Sequence, residues 1–114
     1  MELEHLVENN ICTVSIQGKL VHHTVSKVKV YSQSLLKYDM LKGVVLHLGK
    51  VSFIDSTGIG IIIFLFREFE KQRVQLVVCE AEASIFQILQ MAGLDRMIPF
   101  YSTEEAALNS FNDV

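Results

Sequence analysis

Residues Val44–Leu48 are apolar at every position except His47, and no other feature constrains the fold as much. Side chains of a strand alternate between its two faces, so a continuous apolar run needs cover on both sides. Val74–Cys79 is a second run of this kind. Between the two lies a strongly apolar stretch from Ser56 to about Arg73, long enough to be a helix. Strands alternating with helices predict a mostly parallel sheet covered by helices.

The flanking segments extend this pattern. Leu3–Glu8 and Ile11–Gln17 are strand-like runs joined by Asn9-Asn10, a pair suited to a tight hairpin turn. Gly18 is expected to break the second strand. Thr24 is placed to cap a helix reaching about Tyr38, with Val25, Val28, Leu35 and Leu36 on one face. Glu82–Met91 reads as another amphipathic helix, stopped at Ala92-Gly93, where glycine suits a left-handed end. Met97–Phe100 reads as a short strand beside Pro99. Ser102, with Glu105 three residues on, forms the pattern of a capping box for a last helix. The expected architecture is α/β: one domain over 1–114, a sheet of four to five strands, about four helices and an N-terminal hairpin.

Composition agrees with that class. Half of the 114 residues are hydrophobic and 20% are charged, the balance of a folded globular chain. The net charge is −3 and the ten Lys and Arg are scattered, which gives no nucleic-acid footprint. The acidic start Met1-Glu2-Leu3-Glu4-His5 is not that of a signal peptide. Ile59–Phe66 is far too short to span a bilayer, so no membrane insertion is expected. Cys12 and Cys79 lie within apolar runs and read as buried thiols rather than a disulfide or metal pair. A cytoplasmic location is expected.

The segment that carries chemistry is Phe53-Ile54-Asp55-Ser56-Thr57-Gly58-Ile59-Gly60. A strand runs into a turn and a helix follows at once. Ser56 is placed to be the N-cap, and Gly58 and Gly60 keep bulk away from the first turn. Free amides and the helix dipole tolerate negative charge there, so a phosphate could be held at little structural cost. It would bring about −1.5 to −2 charges at neutral pH. A serine before a helix is most often only a cap, and paired glycines can equally serve close packing; the residues alone leave both readings open. On the helix, Ile59, Ile62, Leu65, Phe66 and Phe69 share the expected core face, whereas Arg67, Glu68 and Lys71 mark the solvent side. Phe64 falls between those charges. With Gly60, Ile61 and Ile63 it makes a candidate docking patch beside Ser56.

Asp55-Ser56-Thr57-Gly58-Ile59-Gly60 resembles the Asp-Ser-(Ser/Thr)-Gly-(Leu/Ile)-Gly signature of bacterial STAS-domain anti-sigma-factor antagonists. The likeness covers nearly the whole chain. Gly18-Lys19-Leu20 with His22-His23-Thr24 is similar to that family's strand-to-helix junction, Val44–Leu48 to its central strand, and Met91-Ala92-Gly93-Leu94 to its late helix end. The resemblance implies that Ser56 is a phosphate acceptor, in a loop formed with Asp55, Thr57 and Gly58. It implies two enzymes: a histidine-kinase-like serine kinase, often itself an anti-sigma factor, and a PP2C-type phosphatase. The unphosphorylated form would bind its target and the phosphorylated form would let go. No cofactor is implied, and the chain would be a substrate, not an enzyme. Val21 departs from the family, which commonly has an acidic residue there; Lys19 also sits where an acidic one is frequent.

Other chemistry finds less support. His22 and His23 diverge from one another on any regular element and lack partners at metal-ligand spacing. His47 reads as a hydrogen-bonded core histidine. No Gly-x-Ser-x-Gly elbow is present, and Gly58-Ile59-Gly60 lacks the lysine of a nucleotide loop. Two rival roles stay open beside the switch: a constitutive scaffold and a module binding a small ligand or nucleotide.

Overall fold

The computed structural model describes residues 1–112, so positions 113 and 114 of the expected domain lie outside it. β1 (Glu2–Glu8) and β2 (Ile11–Leu20) form an antiparallel hairpin. Asn9 and Asn10 both have positive φ, 54° and 66°, the backbone that a two-residue hairpin turn of matching twist requires. α1 (Val25–Ser34) leads through a short 3-10 turn into β3 (Gly43–Ile54). α2 (Ser56–Lys71), β4 (Gln75–Cys79), α3 (Ala83–Met91), β5 (Phe100–Tyr101) and α4 (Glu104–Asn109) follow.

The sheet order is β1-β2-β3-β4-β5, and every pair after the hairpin is parallel. The buried residues of α1, α2 and α3 join one core cluster, so these helices cover the same face of the sheet. Under them lies the main core: Val14, Ile16, Val44, Leu46, Leu48, Leu76 and Val78 from the strands, against Val28, Ile62, Leu65, Phe69, Ile85 and Leu89. The alternate residues Val45, Val77 and Cys79 point to the other face, where Ala107 of α4 covers them. β3 and β4 are thus buried on both sides over most of their paired length, as their largely apolar runs require.

Four local expectations are corrected. Gly18 does not end β2. At φ 113° it sits beside a register shift against β3, and the strand continues to Leu20. The last strand is not Met97–Phe100 but Phe100–Tyr101; Leu94–Arg96 form a 3-10 turn after Gly93, whose φ is 85°. The cap of α4 is Thr103, not Ser102, with its side chain accepting from the Ala106 amide at 3.0 Å. That register moves Glu105 out of the capping-box position. Thr24 stands at the start of α1 but caps nothing; its hydroxyl bonds back to the Lys19 carbonyl at 2.8 Å.

Candidate functional site

The site begins with the length of β3, which runs past the end of β4 and carries Ile54 to the rim of the sheet. Leu20 pairs with Ile54, and the Leu20 carbonyl accepts from the Asp55 amide at 3.3 Å. The end of β2 therefore lies against the turn that starts α2. Gly58 is buried in that contact. A Cβ there would stand 2.1 Å from the Leu20 oxygen, so only glycine lets the helix meet the strand. Gly60 is different: nothing lies within 4 Å of where its Cβ would be, and it is exposed.

The N-cap is Asp55, not Ser56. Asp55 is extended (φ −111°, ψ −174°), and its Oδ1 accepts from the Gly58 amide at 2.9 Å and from the Thr57 hydroxyl at 2.6 Å. Its Oδ2 accepts from the His22 amide at 3.1 Å. A carboxylate with three donors holds its charge tightly. The Thr57 hydroxyl, followed by the Gly58 amide, pulls the Asp55 pKa down to about 2. Ser56 thereby becomes the first helical residue. It is exposed, and its hydroxyl serves no capping role. The first turn of α2 holds no acidic residue, so the Asp55 carboxylate at the cap is the negative charge that faces the positive end of this helix.

The docking patch is partly redrawn. Ile61 is buried at 7% exposure and belongs to the core, because Gly58, Ile61 or Ile62, Leu65 and Phe69 form the inward stripe. Ile59 and Phe66, expected within the core, are half-buried on its border. Ile63 and Phe64 are also half-buried, and Gly60 is open. Lys29 of α1 sets its Nζ 4.6 Å from the centre of the Phe64 ring, a cation–π contact that ties α1 to α2. The sequence reading missed Phe53, which is 52% exposed and lies beside Lys19 in the β2–β3 register. The signal was available: Ile54 must face in, so its neighbour must face out.

His47 is not in the core. It faces α4, with Nε2 3.5 Å from a Glu80 oxygen and 3.6 Å from one of Glu104. Cys79 joins His47 and Glu80 with potential ligand atoms within 4.8 Å of one another. The Gly49 amide donates to Nδ1 at 3.2 Å, so the proton of the neutral ring sits on Nε2 and points at the carboxylates. That arrangement ties β3 to α4. Both cysteines are free and buried, and burial pushes the thiols up, Cys12 to about 11 and Cys79 to about 12.

With this geometry in place, the family model for the STAS domain matches residues 2–107, almost the full length. The chain belongs to the STAS domain family. An anti-sigma F factor antagonist of Paenibacillus polymyxa is 27% identical to this STAS domain over 114 residues, all of this chain and 96% of the relative. An anti-sigma factor antagonist from Mycobacterium paratuberculosis superposes with TM-score 0.87 at 21% identity, covering 98% of this STAS domain and 94% of that chain. The Bacillus cell fate determinant SpoIIAA, solved in its phosphorylated form, superposes with TM-score 0.73 at 20% identity, over 96% and 99% of the two chains. These likenesses fix the fold of the STAS domain. Among the described residues no helix is long and apolar enough to cross a membrane.

Proposed function

We propose that this STAS domain is a phosphorylation-controlled partner switch with Ser56 as the acceptor. The observation that supports it best is the division of labour at the α2 start: Asp55 does the capping, and the Ser56 hydroxyl is left exposed and uncommitted. A serine kept only as a cap would show the bond that Asp55 makes instead. Anti-sigma factor antagonists among the relatives agree with a regulatory binding role, and SpoIIAA is a phosphoprotein of this fold.

In the proposed cycle the unphosphorylated chain binds a histidine-kinase-like serine kinase that doubles as an anti-sigma factor. The Ser56 oxygen attacks the γ-phosphorus of ATP. A new O–P bond forms, the bond to ADP breaks, and the hydroxyl proton passes to a base on the kinase. A PP2C-type phosphatase hydrolyses the phosphoserine and restores the hydroxyl. Asp55, Thr57 and Gly58 hold the acceptor turn in shape throughout. The chain is the substrate of both steps. Moving a complex from mostly bound to mostly free takes about 5 kcal/mol of differential affinity. A charged group forced into a like-charged or apolar contact costs several kcal/mol, which is of that order.

The test is Ser56→Ala with a histidine-kinase-like serine kinase that phosphorylates the native chain. Intact-mass spectrometry should show no phosphate on the variant, while binding of the kinase is retained. Equal phosphate uptake by the alanine variant would rule out Ser56. Unchanged partner affinity of Ser56→Asp would favour a constitutive scaffold.

A further inference from the structure

On the α4 side of the sheet, three elements bring different donor atoms to one point. β3 supplies His47, β4 ends in Cys79 with Glu80 next, and α4 begins with Glu104. His47 and Cys79 are partners in the parallel register. The His47 Nε2, the Cys79 Sγ and a Glu80 carboxylate oxygen lie within 4.8 Å of one another. Nε2 stands 3.5 Å from Glu80 Oε1 and 3.6 Å from Glu104 Oε1. Around a tetrahedral ion with bonds of about 2.0–2.3 Å, donor atoms sit about 3.3–3.8 Å apart. Both carboxylates are therefore already at ligand spacing from the ring. The backbone is shaped around the cluster. Glu80 has φ 59°, uncommon outside glycine, and its Oε2 accepts from the Glu104 amide at 2.8 Å, which leaves Oε1 to face His47. A Cβ on Gly49 would stand 2.7 Å from the His47 ring, so the glycine keeps space for it. A cavity of about 160 Å³ lined by His47, Glu104, Glu2 and Glu4 gives an ion a way in. Lys50 lines it too, but among the described residues neither Glu80 nor Glu104 pairs with a Lys or Arg.

We propose that His47, Cys79, Glu80 and Glu104 form a zinc site that fastens the start of α4 to β3 and β4. One imidazole, one thiolate and two carboxylates make the mixed N, S and O donor set that Zn²⁺ takes. On binding, the Cys79 thiol gives its proton to solvent, and the ring proton of His47 moves from Nε2 to Nδ1. The single 3.2 Å bond from the Gly49 amide to Nδ1 is given up in exchange. Burial, with the Glu80 and Glu104 charges behind it, holds the thiol protonated without the ion, and a bound cation reverses that field. Because a proton is released, affinity rises with pH. Cys12 takes no part, since it lies in the core under α1, α2 and α3, across the sheet from Cys79. The site is independent of the switch reading at Ser56.

Equilibrium dialysis of the untagged full-length chain against zinc chloride, with bound metal counted by mass spectrometry, tests this. One zinc per chain is expected, together with a rise in melting temperature. His47→Ala and Glu104→Gln should each weaken binding at least tenfold, whereas His22→Ala and His23→Ala should bind as the native chain does. With cobalt in place of zinc, the native chain should show thiolate-to-metal charge-transfer absorption, which Cys79→Ala abolishes and Cys12→Ala keeps. Thermal melts establish that each variant folds. Should Cys79→Ala not fold, the cobalt spectrum of the native chain and the affinity of Glu104→Gln, a half-exposed position, decide alone. No zinc bound at millimolar free ion, native affinity in both His47→Ala and Glu104→Gln, or a cobalt complex without thiolate absorption overturns the site. None of these results bears on phosphorylation of Ser56, so the switch reading stands or falls by its own test.

Discussion

The starts of α2 and α4 solve the same problem with different chemistry. Each follows a strand end and has its third helical amide bonded by a capping side chain, Asp55 to Gly58 and Thr103 to Ala106. In α4 the first turn then carries Glu104 and Glu105, which complement the positive end of the helix. In α2 the first turn is Ser56-Thr57-Gly58, without any acid. One start takes its negative charge from the first turn, behind a neutral cap. The other takes it from the cap itself, Asp55, and leaves the first turn uncharged. The difference leaves the Ser56 hydroxyl exposed on a turn without acids.

The largest effect that would test this contrast is at Gly58. Gly58→Ala drives a Cβ against the Leu20 carbonyl, a backbone atom with no easy retreat. A loss of about 3 kcal/mol in urea unfolding is expected, at the upper end for overpacking. Gly60→Ala meets nothing and should instead stabilise by about 0.5–1 kcal/mol, the helix-propensity gain. A comparable loss at both glycines would show that neither the close approach nor the open turn is as described.

Next come the caps. Asp55→Ala should cost about 1–2 kcal/mol, and Thr103→Ala nearer 0.5–1 kcal/mol, by the same unfolding measurement. Asp55 also bonds the His22 amide, so its removal loosens the link from β2 to α2, whereas Thr103 serves its own helix. Equal costs would remove the distinction between the two starts.

The smallest effect is in pH dependence. Asp55 has its pKa lowered in the folded chain to about 2 from an ordinary 3.8. Its contribution is therefore fully present above pH 4 and is lost as pH falls from about 4 towards 2. Asp55→Asn should flatten that part of the stability curve, while Thr103→Ala should shift the curve without changing its slope. An unchanged acid limb in Asp55→Asn would show that the carboxylate is not held by its three donors.

Much of the fold was legible in the residues because the signals are local. Largely apolar strands, the Asn9-Asn10 turn and Gly93 each report a backbone requirement that neighbours in sequence satisfy. The Ile54–Gly60 segment was legible for the same reason, since a strand, a turn and a glycine-rich helix start are contiguous. The roles within it were not. Ser56 and Asp55 are both good caps, and only the extended backbone of Asp55 and the arrival of the Leu20 carbonyl and His22 amide assign the work to the carboxylate. Ile61 looked peripheral on a helical wheel because the wheel does not say where the sheet lies.

The sequence by itself determined most of the strands and helices, that the sheet needs cover on both faces, and where a strand passes through a glycine-rich turn into a helix. Those outcomes depend on side-chain periodicity and on backbone conformations that single residues dictate. Tertiary structure alone decided which hydroxyl is free, why Gly58 must lack a side chain, that His47 faces α4, and that Lys29 meets Phe64. Each of these depends on a contact between residues distant in the chain, set by how the helices settle on the sheet.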